Sequence, residues 1–499
     1  MVGTPTPGPL GGPLPGSLEP VATAGADAAG YAGAGFRNMP RGAWAWAIFQ
    51  GGRDPYVILI TIYIFASYFT ALVVGDGVKG QAMIATVSTL NSLFIAVTAP
   101  LLGASLERFG ARKPIMLLTV VLMVPLIAML WFAKPGGAGL PIIGTLWIFG
   151  IVGILFAYCE VVHNSLLMTA AGHRHAAHAS GLALSAGNFF SVITLTFCLF
   201  AFALPGSPGT ESWTFLPDAP LFGLDAATAE PLRISALIAA GLMAIGSIPL
   251  FLFTPDAPST GVKLVQGIKE GAANLWVTIR LLFTERDMAV FLGARMLFND
   301  GMTALLIYSG IYAAGVMGWQ MEMYAYGILL SIFAVIGGLM AARVDNVLGP
   351  RTALIVEIVG CIVCITAQIG MTPDTILYFW HYDAAAHAPL WNGPMFRTLP
   401  EVLFLTIGFG TAIFVTAQYA TSRTMLTRLS PPEKLPAFFG LYALSGTVTV
   451  WLGSALVALF TGIYKTQQAG FVPIVALLIF GLIGLLFVKG GGKGEFRTD

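Results

Sequence analysis

GASLERFGARKP, residues Gly103–Pro114, and GLMAARVDNVLGPR, residues Gly338–Arg351, are two versions of one short loop. Superposing Gly110–Arg112 on Gly349–Arg351 offsets them by 239 positions, close to half of the 499-residue chain. Each carries a glycine, an acid and a base, a second glycine and a further base. Each also follows an apolar run. Glycine lets a helix end turn tightly against its neighbour. Basic residues hold such a loop at an anionic lipid surface, and a carboxylate can pair with them or with a helix N-terminus. Pro114 suits the first turn of the next helix. Any short cytoplasmic loop tends to be rich in glycine and arginine, so a single copy would decide little. Two copies at matching places predict a duplicated chain.

Working outward from these loops, apolar runs long enough to span ~30 Å of hydrocarbon recur. They lie near Pro55–Val74, Ala82–Leu106, Ile115–Ala133, Pro141–Ala170, Leu182–Leu204 and Ile234–Phe253. Six more lie near Met288–Met317, Met323–Ala342, Ala353–Met371, Val402–Met425, Ala437–Thr461 and Phe471–Val488. The composition agrees: 57% of residues are hydrophobic and 10% charged, with mean hydropathy +0.82. A soluble domain carries roughly 25% charged residues. The fold class expected is therefore an all-α polytopic membrane protein with twelve transmembrane helices in two six-helix bundles.

Placing the N-terminus inside puts 19 Lys and Arg residues on that side against 5 on the other, with Arg295 left within a span. Basic residues concentrate on the cytoplasmic side, so both termini are expected there. Between the sixth and seventh runs, apolar and polar residues alternate with a helical period from Val262 to Phe283, the pattern of a helix lying on the membrane surface. Five segments follow: a disordered cytoplasmic tail (1–42), a first six-helix bundle (43–254), a cytoplasmic linker with an amphipathic surface helix (255–287), a second six-helix bundle (288–489) and a short cytoplasmic tail (490–499). The first segment is rich in Gly, Ala and Pro and has no basic region followed by an apolar one, so no cleaved signal peptide is expected. Short loops and an Ala/Gly-rich composition suggest a bacterial inner membrane.

The net charge of +1 gives no reason to expect a nucleic-acid partner. Cys159, Cys198, Cys361 and Cys364 all lie in apolar runs and read as small fillers, although Cys361 and Cys364 have CxxC spacing. His173, His175 and His178 are expected in a solvated loop, as are His381 and His387 with Asp383, so no metal site is expected. The chain contains no HExxH helix, GxSxG elbow or GxxxxGK[ST] loop, which leaves an enzyme without its usual machinery and calls for no cofactor.

The paired loops resemble the loop signature of the major facilitator superfamily. HNSLLM from His163, HASGLALSAGN from His178, LFNDGM from Leu297 and SRTMLTRLSPPEKLPAFFGLYALSG from Ser422 resemble its vacuole-effluxer-like branch. The eukaryotic members of that branch are vacuolar amino-acid effluxers. One stretch departs from the branch pattern. Its first span opens with a tryptophan-flanked aspartate followed by WAN, whereas Ala45–Tyr56 reads AWAIFQGGRDPY; Gln50 takes the aspartate position and Arg53–Asp54 are additional charges. The resemblance implies that the first, fourth, seventh and tenth helices line a central cavity.

A charge at bilayer depth costs about 2.5–3.5 kcal/mol on insertion scales, which makes such residues functional candidates. Glu160, His163 and Asn164 sit at i, i+3 and i+4 on span four, sharing one face. Arg295 and Asn299 share a face of span seven, and Asp300 is rotated away from them or marks a bend. Gln418 and Tyr419 on span ten, with Arg53–Asp54 at the foot of span one, complete the ring that the resemblance places at the cavity. In one reading Arg295 meets a substrate carboxylate while Glu160 and His163 take up a proton, since burial favours a neutral carboxyl. In the other, Glu160 and Arg295 form an ion pair that locks the halves together. Glu107, Arg108, Arg112, Asp345 and Arg351 are the candidate cytoplasmic gate. Glu357 is expected to snorkel or cap the loop beside it.

The function expected is secondary transport of a small polar or zwitterionic metabolite, an amino acid or related carboxylate first, by alternating access and with the proton as candidate coupling ion. The other reading of the same fold is a non-transporting or lipid- or pigment-handling protein, against which the intramembrane charges speak. The expected partners are a small-molecule substrate, a proton and the lipid bilayer, with the chain a monomer.

Overall fold

The computed structural model describes residues 38–207, 210, 213–256, 258, 280, 285–430, 438, 441–442 and 444–490. Among them, eleven helices are long and apolar enough to cross a membrane and a twelfth is shorter. In chain order they are α1 (Arg41–Val73), α2 (Gly77–Phe109), α3 (Lys113–Phe132), α4 (Ile142–Ser165), α5 (Leu167–Cys198), α6 (Glu230–Phe253), α7 (Arg286–Met317), α8 (Glu322–Leu348), α9 (Pro350–Ile369), α10 (Leu399–Leu429), α11 (Val450–Tyr464) and α12 (Gln467–Leu486). The chain is an all-α, multi-pass membrane protein. The end of the bundle that holds the first residue of α1 and the last of α12 is the terminal end; the opposite one is the far end.

Helix starts follow local chemistry. Asp76 caps α2 by accepting from the Lys79 amide, and Thr398 and Glu401 form a reciprocal capping box on α10. Pro114, Pro231, Pro350 and Pro400 occupy first turns, where a missing N–H costs nothing. The far-end connection after α9 contains a small hairpin, β1 (Thr375–Ile376) paired antiparallel with β2 (Trp380–His381).

Three expectations change. Helix α1 begins at Arg41, well before Pro55, and continues through π-helical turns at Val57–Tyr63 and Phe69–Val73. Arg53–Asp54 therefore lie about 18 Å along its axis at 1.5 Å per residue, inside the span. The eleventh span is interrupted. Leu441–Tyr442 and Leu444–Ser445 are helical, the chain turns through Gly446–Thr449, and the helix resumes at Val450. His175 lies on α5, which continues past a non-helical Gly172, where a loop was expected. The surface helix expected at 262–283 lies outside the described residues, as do the 490–499 tail beyond Gly490 and residues 1–37.

The first and last six helices meet at the far end. Gln81 Nε2 on α2 donates to Thr461 Oγ1 of α11 (2.9 Å), and Gln467 Nε2 of α12 donates to the Gly77 carbonyl (3.2 Å). The Tyr324 hydroxyl of α8 donates to the Pro231 carbonyl of α6 (3.2 Å). Where α1 crosses α7, Gly310 has no Cβ because one would collide with the Ile62 carbonyl. Among the described residues, the anchors at the terminal end close within their own half. The Arg112 and Lys113 amides donate to the Asp256 carboxylate (2.9 and 3.0 Å), and Arg112 Nη1 donates to the Ser165 carbonyl (2.7 Å). Arg351 Nη2 donates to the Leu486 carbonyl (2.9 Å). A carboxylate on the first amides of a helix is favoured by their unsatisfied N–H groups and the helix dipole. Asp256 thereby holds the N-terminus of α3.

Candidate functional site

Two polar clusters sit on the helices expected to line a cavity. The first is built on QGGRD of α1. Arg53 is 4% exposed, and its Nε and Nη2 both donate to Asp54 Oδ1 (3.1 and 3.0 Å). Gln50 Nε2, one turn earlier, donates to Asp54 Oδ2 (3.0 Å). The guanidinium carbon lies 5.0 Å from the centre of the Phe156 ring on α4, within cation–π range. Arg53 Nη1 has no partner. The Asp54 carboxylate reaches this position because α5 offers Gly187, whose Cβ would overlap Asp54 Oδ2.

Phe156 leads, one turn on, to Glu160. Glu160 and Asn164 are exposed on α4, whereas His163 is completely buried. The His163 ring stacks on Trp46 with centroids 4.3 Å apart, and its Nε2 donates to the Trp46 carbonyl (2.9 Å). Trp46 Nε1 returns a bond to the His163 carbonyl (2.7 Å). The expected common face therefore divides: His163 fastens α4 to α1, and Glu160 stands clear of it, with its charge acting on Arg53. Aromatic residues at i−4 and i−7 of Arg53 (Phe49 and Trp46) are the signal that could have foretold a buried, stacked histidine.

The second cluster joins α7 to the interruption before α11. Arg295 Nη1 donates to the Tyr442 carbonyl (2.8 Å) and to Ser445 Oγ (2.6 Å), and its carbon lies 3.5 Å from the Tyr442 ring centre. Asn299 Nδ2 donates to the Gly446 carbonyl (3.4 Å). Thr449 Oγ1 donates to the Met296 carbonyl (3.2 Å), and the Gly453 amide donates to Asp300 Oδ2 (3.0 Å). Backbone that leaves the helix within a membrane must find partners in protein or in a water-filled cavity. Here α7 supplies them. Asp300 thus serves the first turn of the resumed helix, whereas Arg295 and Asn299 serve the interruption itself, consistent with its rotation around α7; its Oδ1 remains unpartnered. Thr447 is exposed in the middle of the turn.

The remaining candidates separate. Tyr419 lies close to Arg295 and Thr303. Gln418 is completely buried, and neither of its amide atoms has a partner. No ion pair between Glu160 and Arg295 occurs among the described residues, whose side-chain pairs include Arg53–Asp54 (3.0 Å) and Arg233–Glu230 (3.9 Å). Of the gate residues, Arg112 and Arg351 make the bonds given above and Asp345 is buried, while the side chains of Glu107 and Arg108 lie outside the described residues. Among the described residues no group of three His, Cys, Asp or Glu side chains could hold a metal ion. The sequence signal for the interrupted helix was present in the Ser445-Gly446-Thr447 step that follows the FFGLY segment.

The fold recurs among solved transporters. The nucleoside transporter NupG aligns with 90% of this chain and 100% of its own at TM-score 0.60 and 11% identity. The D-xylose–proton symporter aligns with 90% and 96% at TM-score 0.59 and 12% identity. An inward-open form of the xylose transporter XylE from E. coli aligns with 91% and 97% at TM-score 0.57 and 12% identity. At this identity the likeness is one of fold. No curated protein sequence matches. The profile of the family described as Vacuole effluxer Atg22 like matches residues 169–491, well over half of the chain. The chain is therefore a membrane transporter of the major facilitator fold and belongs to the vacuole effluxer Atg22-like family.

Proposed function

We propose that the chain moves a small zwitterionic metabolite, with an amino acid as the leading class, across its membrane by alternating access, and that the Arg53–Glu160 cluster is where it binds. The observation that carries this reading is an exposed carboxylate, Glu160, beside a buried guanidinium with one free nitrogen, both inside spans. A charge in lipid costs several kcal/mol, so Glu160 faces water, which at that depth means a cavity between the bundles. Glu160 suits a substrate ammonium, and Arg53 Nη1, buried in this form, meets the carboxylate once the cluster opens to the cavity. Asp54 and Gln50 hold the guanidinium in place.

Arg295 is spent on the interruption before α11, which favours positioning that backbone over meeting a substrate directly. The ties at the far end and the separate anchors at the terminal end correspond to a form open toward the terminal end. With the basic residues there, that end is the cytoplasm, and a bacterial inner membrane is the compartment proposed. Moving Arg53 from a loop into α1 leaves this charge bias intact. Proton coupling belongs to the same reading. Glu160→Gln should weaken amino-acid binding and slow both exchange and uptake in proteoliposomes. Uptake at the wild-type rate in that variant would remove Glu160 from the binding site.

A further inference from the structure

A third polar cluster lies in the second half, between α8, α9 and α10. Glu357 on α9 is 3% exposed and Asp345 near the end of α8 is 8% exposed. Thr421 Oγ1 of α10 donates to Glu357 Oε1 (2.8 Å), and Asp345 faces the hydroxyls of Thr421 and Thr424. After these contacts four buried polar atoms have no partner: Glu357 Oε2, Asp345 Oδ1, and both amide atoms of Gln418, one turn before Thr421 on α10. Unpaired buried polar atoms cost roughly 1–3 kcal/mol each, and more for a charged group.

The charges around the pair do not balance. From α10 the Arg428 guanidinium acts on Asp345. Arg343, on α8, is exposed. Cys361, one turn along α9, is a buried thiol. Helix α12, which packs along α9, contains no charged residue. Among the described residues, two carboxylates facing one guanidinium leave one negative charge over. Maintaining the paired loop does not require it either, because α3, the counterpart of α9 in the first half, has no acidic residue.

We propose that Asp345 and Glu357 share one exchangeable monovalent cation, a proton or Na⁺, and that this pair is the coupling-ion site of the transporter. The carboxylate oxygens and the Thr421 hydroxyl that both of them face supply oxygen donors of the kind a hard cation takes. A proton bridging the two carboxyls would satisfy the same atoms. The site lies next to the turn at Gly349, whose amide donates to the Asp345 carbonyl (2.9 Å), so the ion is exchanged with the terminal end. The coupling role rests on the transport reading above; cation binding does not.

The test uses the purified full-length chain in detergent without substrate. Its unfolding midpoint is followed against NaCl, with choline chloride holding ionic strength constant, and separately against pH in sodium-free buffer. The wild type should respond to one of the two cations, and the response should disappear in Glu357→Gln. A sodium response that choline does not reproduce identifies Na⁺; a pH response lost in the variant, with sodium inert, identifies the proton. Should Glu357→Gln not fold, Thr421→Val keeps the shape and removes one donor, and it should move the half-effective cation concentration about tenfold. Identical sodium and pH responses in wild type and Glu357→Gln, or an unmoved half-effect in Thr421→Val, would overturn the assignment. Amino-acid binding that persists in Glu357→Gln would leave the transport reading standing whichever way the cation test falls.

Discussion

Gly310→Ala adds one methyl group at the place where α7 and α1 touch. In the far-end-closed structure that Cβ runs into the Ile62 carbonyl, lies 2.8 Å from the Ile62 carbonyl carbon and 3.2 Å from the Tyr63 Cα. All three atoms are backbone, so no flexible side chain can swing aside, and the helices themselves must separate. Overpacking of this kind costs about 1–3 kcal/mol. The cost falls on the far-closed form, because opening that end parts the two helices. A difference of 1–3 kcal/mol between two states is a population shift of about 5- to 150-fold. Gln81→Cys with Thr461→Cys, in a chain whose four native cysteines are replaced, reports closure through the yield of a short bifunctional thiol linker. Their wild-type side chains are 2.9 Å apart when closed. The linked fraction should fall in Gly310→Ala, and access of a membrane-impermeant thiol reagent from the far side should rise. An unchanged linked fraction in a folded Gly310→Ala protein would refute the reasoning that this crossing holds the far end shut.

Other perturbations read separate parts of the account. Arg295→Ala removes two charge-assisted hydrogen bonds, worth about 1.5–3 kcal/mol each, and the Tyr442 stack. It should lower the unfolding midpoint substantially, and Arg295→Lys should recover only part of it because an ammonium cannot reproduce the planar fork; full recovery by lysine would reduce the role to charge alone. Gly187→Ala should displace the Asp54 carboxylate, loosen Arg53 and weaken ligand binding in an isothermal titration with little change in folding. At the far end, the Ala227 amide and the Thr228 hydroxyl hold the exposed Asp225 carboxyl below its ordinary range. A lowered value in the folded state stabilises above the unfolded value, near pH 4, and is lost as pH falls through the folded one. Midpoints recorded between pH 5 and pH 3 should therefore converge for wild type and Asp225→Asn at the acid end; a constant gap would reject that contribution.

How far the sequence could be read depended on the length scale of each signal. Twelve apolar runs and a repeated loop are written in dozens of residues, and the helices lie close to where hydropathy put them. The start of α1 was missed because Arg41, Gly51, Gly52 and Arg53 dilute the apolar signal, and the helix is held there by tertiary contacts. Trp46 is locked to His163, and Asp54 sits in the space left by Gly187. The interruption before α11 escaped because its residues are apolar enough to average as a span. Polar residues were found individually, yet their company was not. Periodicity placed Glu160 and His163 on one face but could not show that an aromatic wall removes His163 from water. Glu357 read as a snorkelling residue because helical spacing says nothing of Asp345 on another helix.

The central claim is that the Arg53–Glu160 cluster holds a zwitterion. Its most direct test is a panel of amino acids, dipeptides, organic acids, sugars and lipid head groups at millimolar concentration. Each is scored by the unfolding midpoint of the purified protein and of Glu160→Gln, an exposed change that leaves the packing of α4 alone. A ligand at about 100 times its dissociation constant adds roughly 2.7 kcal/mol of stability. The account predicts that an amino acid raises the wild-type midpoint and that most of the rise is absent in Glu160→Gln. Stabilisation by sugars or lipid head groups alone, or an amino-acid effect of equal size in both proteins, would contradict it.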